Sequence, residues 1–251
     1  MNEITPNIVF IIPYRDRQKH YEIFSKQMKI VLEDMEPDSY KLIYVHQTDN
    51  RSFNRGAMKN IGFLYVKDKY PNTYNDITLI FNDIDTMPCD KGFLDYKTKN
   101  GVISHLYGFS YTLGGIVSVK ANDFEKMNGY PNFWAWGYED NALHARAYKN
   151  NIIIDRSKMC KIGDKNISHL KDTYSKRVNK DEWKLYKSSS NEGISDINSL
   201  TYNVNESTGF IDVLTFNTNR EENITTTKIY DTKNGNIPFR KHSAKMKMTF
   251  F

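Results

Sequence analysis

The chain has 251 residues, which is enough for one large domain with a substantial hydrophobic core. Aromatic residues make up 14% of it, which is too many for a disordered chain. The net charge is +5, but the basic residues are scattered among acidic ones and form no stripe. We therefore predict no nucleic-acid partner, because binding to nucleic acid needs clustered phosphate contacts.

The cysteines and the N-terminal residues bear on the compartment. Cys89 and Cys160 are far apart and have no metal-type spacing, which predicts free thiols and a reducing environment. Near the N-terminus the only apolar run covers residues 8–12, too short for a signal peptide or a membrane span. We therefore expect no integral membrane segment and a cytoplasmic location.

The first third of the chain alternates strand-like and helix-like patterns. Apolar, β-branched runs at residues 8–12, 42–45 and 77–81 predict buried strands, and residues 18–35 and 57–69 carry apolar side chains at helical spacing. This β-α-β-α-β order predicts an α/β fold with a Rossmann-like, mostly parallel sheet and helices on both faces. Ligands of such sheets bind beyond the carboxyl ends of the strands.

The later elements are less regular. A loop rich in glycine and tryptophan, residues 129–137, precedes a predicted helix over 141–150, and a second helix is predicted over 173–186. Residues 210–216 alternate as a hairpin or an edge strand would. We predict one domain over residues 1–217 and a C-terminal extension, 218–251, packed on the same domain.

Two carboxylates follow the third predicted strand. Asp83 and Asp85 are two residues apart, so an extended chain places both on the same side. Paired oxygen ligands suit a divalent cation such as Mg²⁺ or Mn²⁺, which can bind a diphosphate. The alternative is an ordinary turn, because the Asp-x-Asp pattern is common in turns.

Basic and aromatic residues follow the first two predicted strands. Pro13, Arg15 and Arg17 come after the first strand, and Phe53 and Arg55 precede the second helix. Guanidinium groups match phosphate oxygens, and an aromatic ring can stack on a base. Each residue taken alone could equally belong to an ion-paired loop.

The stretch around residues 134–141 combines indole rings with carboxylates. Trp134 and Trp136 offer apolar faces to a sugar, and Glu139 and Asp140 stand at the start of a predicted helix. A carboxylate at a helix N-terminus is stabilised in its ionised form, which suits a general base. Asp140 could instead only cap the helix, and Glu139 could be the base in its place.

Together these motifs resemble the β-1,4-galactosyltransferase family, a group of inverting enzymes with the GT-A nucleotide-diphospho-sugar transferase fold. The resemblance extends over residues 7–215 or so, and its motifs occur in order at residues 11–17, 53–63, 83–85, 114–115, 128–132, 134–140, 169 and 198–202. A lysine that the family would place near Leu106 for the diphosphate is absent.

The resemblance implies a UDP-sugar donor and a divalent metal. The donor would be held by Pro13, Arg15, Arg17, Phe53, Arg55, Asp83, Gly114, Gly115 and Trp136. The metal, Mn²⁺ in the family, would be held by Asp85, His169 and Asn166, where the amide oxygen of Asn166 would favour tolerance of Mg²⁺. Reasoning from the residues alone leaves His46 and His105 open as alternatives to His169.

The resemblance also implies the chemistry. Asp140 matches the general base of the family, and Trp136 matches a tryptophan on a loop that closes over the donor, with Gly137 as the flexible point. We therefore expect a metal-dependent inverting transferase that moves galactose from UDP-galactose to a saccharide or glycan acceptor. Thr112, close to where family members that transfer galactose carry a tyrosine, leaves UDP-GalNAc open as the donor. A non-catalytic carbohydrate-binding protein is the alternative from another class.

Overall fold

The computed structural model describes residues 4–171, 173, 175–187 and 191–231. The strands are β1 (Ile8–Tyr14), β2 (Tyr40–Gln47), β3 (Thr78–Asn82), β4 (Thr86–Pro88), β5 (Val102–Gly108), β6 (Ile116–Lys120), β7 (Ile153–Asp155), β8 (Cys160–Lys161), β9 (Ile167–His169), β10 (Ser175–Asn179), β11 (Asn198–Asn205), β12 (Phe210–Asn217) and β13 (Thr227–Asp231). The helices are α1 (Gln18–Val31), α2 (Arg55–Lys69), α3 (Ala121–Lys126), α4 (Glu139–Lys149) and α5 (Lys180–Lys187).

A mixed sheet of nine strands forms the centre of the domain. Its order is β11-β12-β2-β1-β3-β6-β5-β7, with β8 beside β5. The strands β12, β2, β1 and β3 run parallel to one another, as do β7 and β8 to β5. Strand β6 runs antiparallel to both its neighbours, and β11 is antiparallel to β12. The α/β sheet is therefore confirmed, with parallel pairing on both sides of one antiparallel strand.

The alternation of apolar residues along β1 builds a core on each face of the sheet. Val9 and Ile11 belong to one buried cluster together with residues of α2. Phe10 and the other β1 residues on its face belong to a second cluster with Phe24 and Met28 of α1. The sheet thus has helices on both faces, as predicted.

Two predictions for the later elements have different outcomes. Residues 210–216 lie in β12, and with β11 this strand forms a hairpin at the sheet edge, as predicted. The helix predicted over 173–186 is wrong in its first half, because Ser175–Asn179 forms strand β10 and pairs with β13; the helix begins at Lys180. Pairing with the distant strand β13 therefore decides the structure of residues 175–179, against their local helical pattern.

The described part of the predicted C-terminal extension, residues 218–231, contacts the loops that border the strand ends. The indole Nε1 of Trp134 donates to the carbonyl of Arg220 at 2.8 Å, and the amide of Ser52 donates to Glu222 at 2.9 Å. Residues 232–251 lie outside the described residues. Within the part of the chain that the structure describes, no helix is long and apolar enough to cross a membrane.

Candidate active site

A cleft of about 1070 Å³ opens beside the carboxyl ends of β1 and β3. It brings together thirteen predicted site residues: Pro13, Arg15, Arg17, Phe53, Arg55, Asp83, Asp85, Gly114, Gly115, Trp136, Glu139, Asp140 and His169. Asn166 is not among the residues that line the cleft, and its side-chain amide donates to Asp164 Oδ1 at 3.0 Å. As a metal ligand, Asn166 stays a prediction, and its amide nitrogen is already engaged.

The loop before α2 is fixed by hydrogen bonds from both sides. The guanidinium of Arg15 donates to the carbonyl of Asp49 at 2.8 Å and to that of Arg51. Asn54 caps α2, because its side chain accepts from the amide of Ala57 at 2.9 Å. These contacts hold Phe53, which lies between them in sequence, at the cleft wall.

Arg55 links the carboxylates of two chain segments. Its guanidinium donates to Asp83 Oδ1 at 2.6 Å and lies 3.6 Å from Glu139 Oε1. Burial opposes the ionisation of Asp83, but the charges of Arg55 and Lys59 outweigh it and hold the pKa of Asp83 below its usual value. Glu139 is buried, and burial together with the charge of Asp140 raises the pKa of Glu139.

Asp85 and His169 meet across the short ladder between β4 and β9. His169 is the register partner of Thr86. The Thr86 hydroxyl donates to Asp85 Oδ1 at 3.0 Å and lies 3.2 Å from His169 Nδ1. The backbone amide of Leu170 donates to the Asp85 carbonyl at 2.7 Å. The strand pairing, rather than the sequence spacing, therefore brings this histidine to the aspartate.

These two side chains fit a divalent metal that is shared with a phosphate ligand. Burial and the adjacent charge of Asp83 raise the pKa of Asp85, because ionising it beside Asp83 is unfavourable without a counter-charge, and a bound cation would supply that charge. No group of three or more His, Cys, Asp or Glu side chains that could hold a metal occurs among the described residues. Mg²⁺-like cations typically take one or two carboxylates and complete their shell with substrate phosphates and water. Asp85 and His169 are the protein ligands that such a site would use.

Asp140 lies in the first turn of α4, and it is not the helix cap. The cap position is occupied by Tyr138, which makes no side-chain capping hydrogen bond. Asp140 Oδ1 accepts from the ammonium of Lys59 at 3.1 Å, and a Cβ added to Gly114 would come within 2.5 Å of Asp140 Oδ2. The glycine therefore makes room for the carboxylate in the cleft wall, and the capping interpretation of Asp140 is not supported.

The two tryptophans have different environments. Trp136 lines the cleft, and its amide donates to the carbonyl of Arg177 at 2.7 Å. Trp134 is buried and stacks on Phe216, so it belongs to the core rather than to a sugar-binding surface. Around Trp136 the backbone has φ values of 77° at Ala135 and 113° at Gly137. Ala135 thus adopts a left-handed conformation, which is costly for a residue with a Cβ.

The two alternative histidines lie outside the cleft lining. His105 is buried, where Nε2 donates to the carbonyl of Gly114 at 3.0 Å and Nδ1 accepts from Arg156 at 3.2 Å. Burial lowers the pKa of His105, in keeping with a neutral ring in this role. His46 pairs with Asp212 at 2.8 Å. His169, by contrast, lines the cleft and shares the Thr86 hydroxyl with Asp85.

Several cleft residues carry no assignment from the sequence. Phe109 and Tyr111 are exposed at the cleft and stack with ring centroids 5.4 Å apart. Lys176 and Arg177 of β10 line the cleft as well. The two aromatic residues on either side of Ser110 could have indicated a sugar-binding surface from the sequence. Lys176 and Arg177 could not be assigned, because their segment was predicted to be helical.

The fold and this cleft define an α/β domain with paired carboxylates at the strand ends. Comparison with known proteins identifies its family. A model described as the N-terminal region of glycosyl transferase group 7 matches residues 3–97, and one described as the N-terminal domain of galactosyltransferase matches residues 103–173. The chain therefore belongs to the family of group 7 glycosyl transferases, and the resemblance to β-1,4-galactosyltransferases is confirmed.

Two curated relatives and a solved structure agree. The chain is 27% identical over 191 residues to xylosylprotein 4-beta-galactosyltransferase of Caenorhabditis elegans, covering 70% of this chain and 64% of the relative. It is 28% identical to beta-1,4-galactosyltransferase 4 of Homo sapiens, covering 59% of this chain and 44% of the relative. The match therefore spans less than two thirds of either relative.

The fold has a solved counterpart. The catalytic domain of Drosophila β1,4-galactosyltransferase 7, solved in complex with xylobiose, superposes with a TM-score of 0.68 at 20% identity. The match covers 83% of this chain and 94% of that one. A mutant of the same enzyme, solved with manganese, UDP-Gal and xylobiose, gives 0.66 at 19% identity. The GT-A fold is thereby confirmed.

Proposed function

We propose that the chain is a metal-dependent, inverting glycosyltransferase that moves galactose from UDP-galactose to a hydroxyl of a saccharide acceptor. One observation carries the proposal: residues predicted to hold a nucleotide, a metal and a general base line one cleft. The Drosophila enzyme with the same fold was solved with manganese, UDP-Gal and xylobiose, and those ligands guide the choice of donor, metal and acceptor class.

The donor side of the cleft is basic and aromatic. Phe53 offers a ring for the uracil, and Arg15 and Arg17 supply positive charge next to it. Lys176 and Arg177 add positive charge from β10, which compensates for the lysine missing near Leu106. Since a diphosphate is doubly charged or more, this basic rim favours its binding.

Asp85 and His169 would hold the divalent cation. When bound, such a cation supplies Lewis-acid stabilisation of the charge on the departing UDP. The residues of the chain position the site: Arg55 holds Asp83 and Glu139 in place, and β9 keeps His169 beside Asp85.

The acceptor side contains the base and an aromatic platform. Asp140 takes the proton from the acceptor hydroxyl while that oxygen attacks the anomeric carbon, and the bond from that carbon to the UDP oxygen breaks on the opposite face. Because the attack and the departure are on opposite faces, the anomeric configuration inverts. The stacked rings of Phe109 and Tyr111 provide apolar faces on which a sugar ring can pack.

Release of UDP in the presence of Mn²⁺ tests this function directly. We expect the purified chain to release UDP from UDP-galactose when a panel of oligosaccharides that includes xylobiose is supplied, and NMR of the product should show an inverted anomeric centre. A protein that binds saccharides but releases no UDP from any UDP-sugar would contradict the proposal and favour the carbohydrate-binding alternative.

Thr112 motivates UDP-GalNAc as a second donor. It lines the cleft with a small side chain, and its hydroxyl lies 3.4 Å from the carbonyl of Phe109. We expect Thr112→Tyr to lower kcat/KM for UDP-GalNAc about tenfold or more relative to UDP-galactose, because a large ring would fill the space for an acetamido group. Thr112→Val is the matched control, since it keeps the volume. An unchanged donor ratio in Thr112→Tyr would remove Thr112 from the choice of donor.

His169→Ala tests the second metal ligand. We expect the Mn²⁺ concentration for half-maximal rate to rise ~10-fold or more. Loss of a residue that only supports a metal ligand already weakens metal affinity by about that factor, and His169 is proposed as a ligand itself. Part of the rate should return at high Mn²⁺, since Asp85 remains. His46→Ala, which alters a histidine outside the cleft, should leave the Mn²⁺ dependence unchanged. Equal Mn²⁺ curves for both variants would refute the assignment.

A further inference from the structure

A lysine is buried directly behind the carboxylate assigned as the general base. Lys59 belongs to α2 and is only 2% exposed; apart from Asn60, the other residues that this helix buries are small, apolar or aromatic. Its Nζ donates to Asp140 Oδ1 at 3.1 Å and lies 4.3 Å from the centre of the Tyr130 ring. Lys59 does not line the cleft, so it contacts Asp140 from behind the cleft wall.

The surroundings of Lys59 keep its ammonium charged. Burial alone would lower the pKa of Lys59, but the charge of Asp140, with contributions from Tyr130 and Asp83, outweighs burial and the opposing charge of Arg55 and raises it. A buried ammonium is costly unless it is paired, and leucine or methionine would pack in this helix without that cost. A charged group retained here therefore needs a reason beyond packing.

The geometry at Asp140 gives that reason. Lys59 engages Oδ1, while Oδ2 lies against Gly114, which is itself part of the cleft wall. A carboxylate held by one oxygen has a defined orientation, and a general base works only when its free oxygen is within hydrogen-bond reach of the proton that it removes. We propose that Lys59 is a positioning residue, which fixes Asp140 by Oδ1 so that Oδ2 faces the acceptor hydroxyl.

This inference rests on the proposed function, and a double-mutant cycle tests it. We expect Lys59→Met to lower kcat by about 10-fold or more, a part of the 10²-fold or larger contribution of a general base, with KM for UDP-galactose unchanged. In the Asp140→Asn background the same substitution should lower the residual rate by less than about 2-fold, because Lys59 acts through a carboxylate that is already gone. A structural role would lower both rates by the same factor.

Two further variants keep the test decisive. Lys59→Gln retains a hydrogen-bond donor for Asp140 without the charge, and we expect a loss of kcat smaller than that of Lys59→Met; it replaces Lys59→Met in the cycle if that variant does not fold. Lys67→Met makes the same substitution on the same helix at a lysine that pairs with Glu125 outside the cleft, and we expect wild-type kcat.

The outcomes separate this inference from the proposed function. If the wild-type chain transfers sugar but Lys59→Met retains its kcat within about 2-fold, or if the losses in the cycle add, the positioning role is refuted and the transferase stands. If the wild-type chain transfers no sugar, the proposed function fails, and a crystal structure of Lys59→Met decides the positioning. We expect Asp140 to leave its place against Gly114 in that structure; an unchanged carboxylate would overturn the inference.

Discussion

Asp85→Ala is expected to abolish sugar transfer and the Mn²⁺-dependent part of UDP binding. Asp85 is the carboxylate that faces His169 across Thr86, whereas Asp83 is engaged by Arg55 at 2.6 Å. Removing Asp85 therefore leaves His169 as the one remaining proposed protein ligand. The cation is then lost, and with it the charge that neutralises the diphosphate. Calorimetric titration of UDP with and without Mn²⁺ measures the binding, and UDP release measures the turnover.

Replacing the Asp85 carboxylate by an amide should not weaken the fold. Burial and the charge of Asp83 raise the pKa of Asp85, so its ionised form is disfavoured in the folded state, and removing it relieves repulsion. We expect the unfolding midpoint of Asp85→Asn, the isosteric companion variant, to stay at or above that of the wild type. Asp90→Ala alters an exposed aspartate outside the cleft and should leave turnover and binding intact. Mn²⁺-dependent UDP affinity that survives in Asp85→Ala would refute the metal assignment.

The part of the site formed by Arg55 and Asp83 could be predicted, because these residues belong to a stretch of chain with strong local patterns. Arg55 begins α2 within the β-α-β-α-β segment, and Asp83 directly follows its last strand, β3. The buried strands β1 and β3 pair in parallel and so bring their carboxyl ends to one edge. Where local periodicity defines the elements, topology then defines which residues meet.

The part of the site formed by His169 and Lys176 depends on strand pairings between distant segments, and local sequence patterns do not reveal such pairings. His169 reaches Asp85 only because β9 pairs with β4, and both strands have just three residues. The resemblance to the family named His169, whereas the sequence alone left three histidines open. Lys176 was missed as a cleft residue because β10 depends for its pairing on β13, a distant strand in which Tyr230 is the register partner of Lys176.

Lys59 shows a different limit. Lys59 stands in a helix that carries several other charged residues, so the sequence does not mark it as buried, and its partner Asp140 is 81 residues away in the sequence. Neither residue alone indicates that the two meet, since surface lysines and first-turn aspartates are both common. The fold brings Lys59 of α2 to Asp140 in the first turn of α4, and this contact is visible in the structure alone.

This contact changes what Asp140→Asn should do to stability. If Asp140 were only a helix cap, asparagine would replace it at almost no cost. Because Lys59 is buried opposite it, the amide leaves an ammonium without its nearest counter-charge. Breaking a fully buried pair typically costs ~3–5 kcal/mol; Asp140 is 22% exposed and Lys59 keeps Asp83 and Tyr130, so we expect a loss of about 1–3 kcal/mol in the free energy of unfolding.

The effect of Asp140→Asn on turnover should exceed its effect on folding. The substitution keeps the shape of the side chain but removes the proton acceptor, and we expect kcat to fall by ~10²-fold or more with UDP and Mn²⁺ binding intact. The rates must be compared at a temperature where circular dichroism shows both proteins folded. Glu139→Gln, run in parallel, removes the second of the two carboxylates beside Arg55 and should act mainly on the KM for the donor. Near wild-type transfer by folded Asp140→Asn, together with a collapse of kcat in Glu139→Gln, would move the role of general base to Glu139.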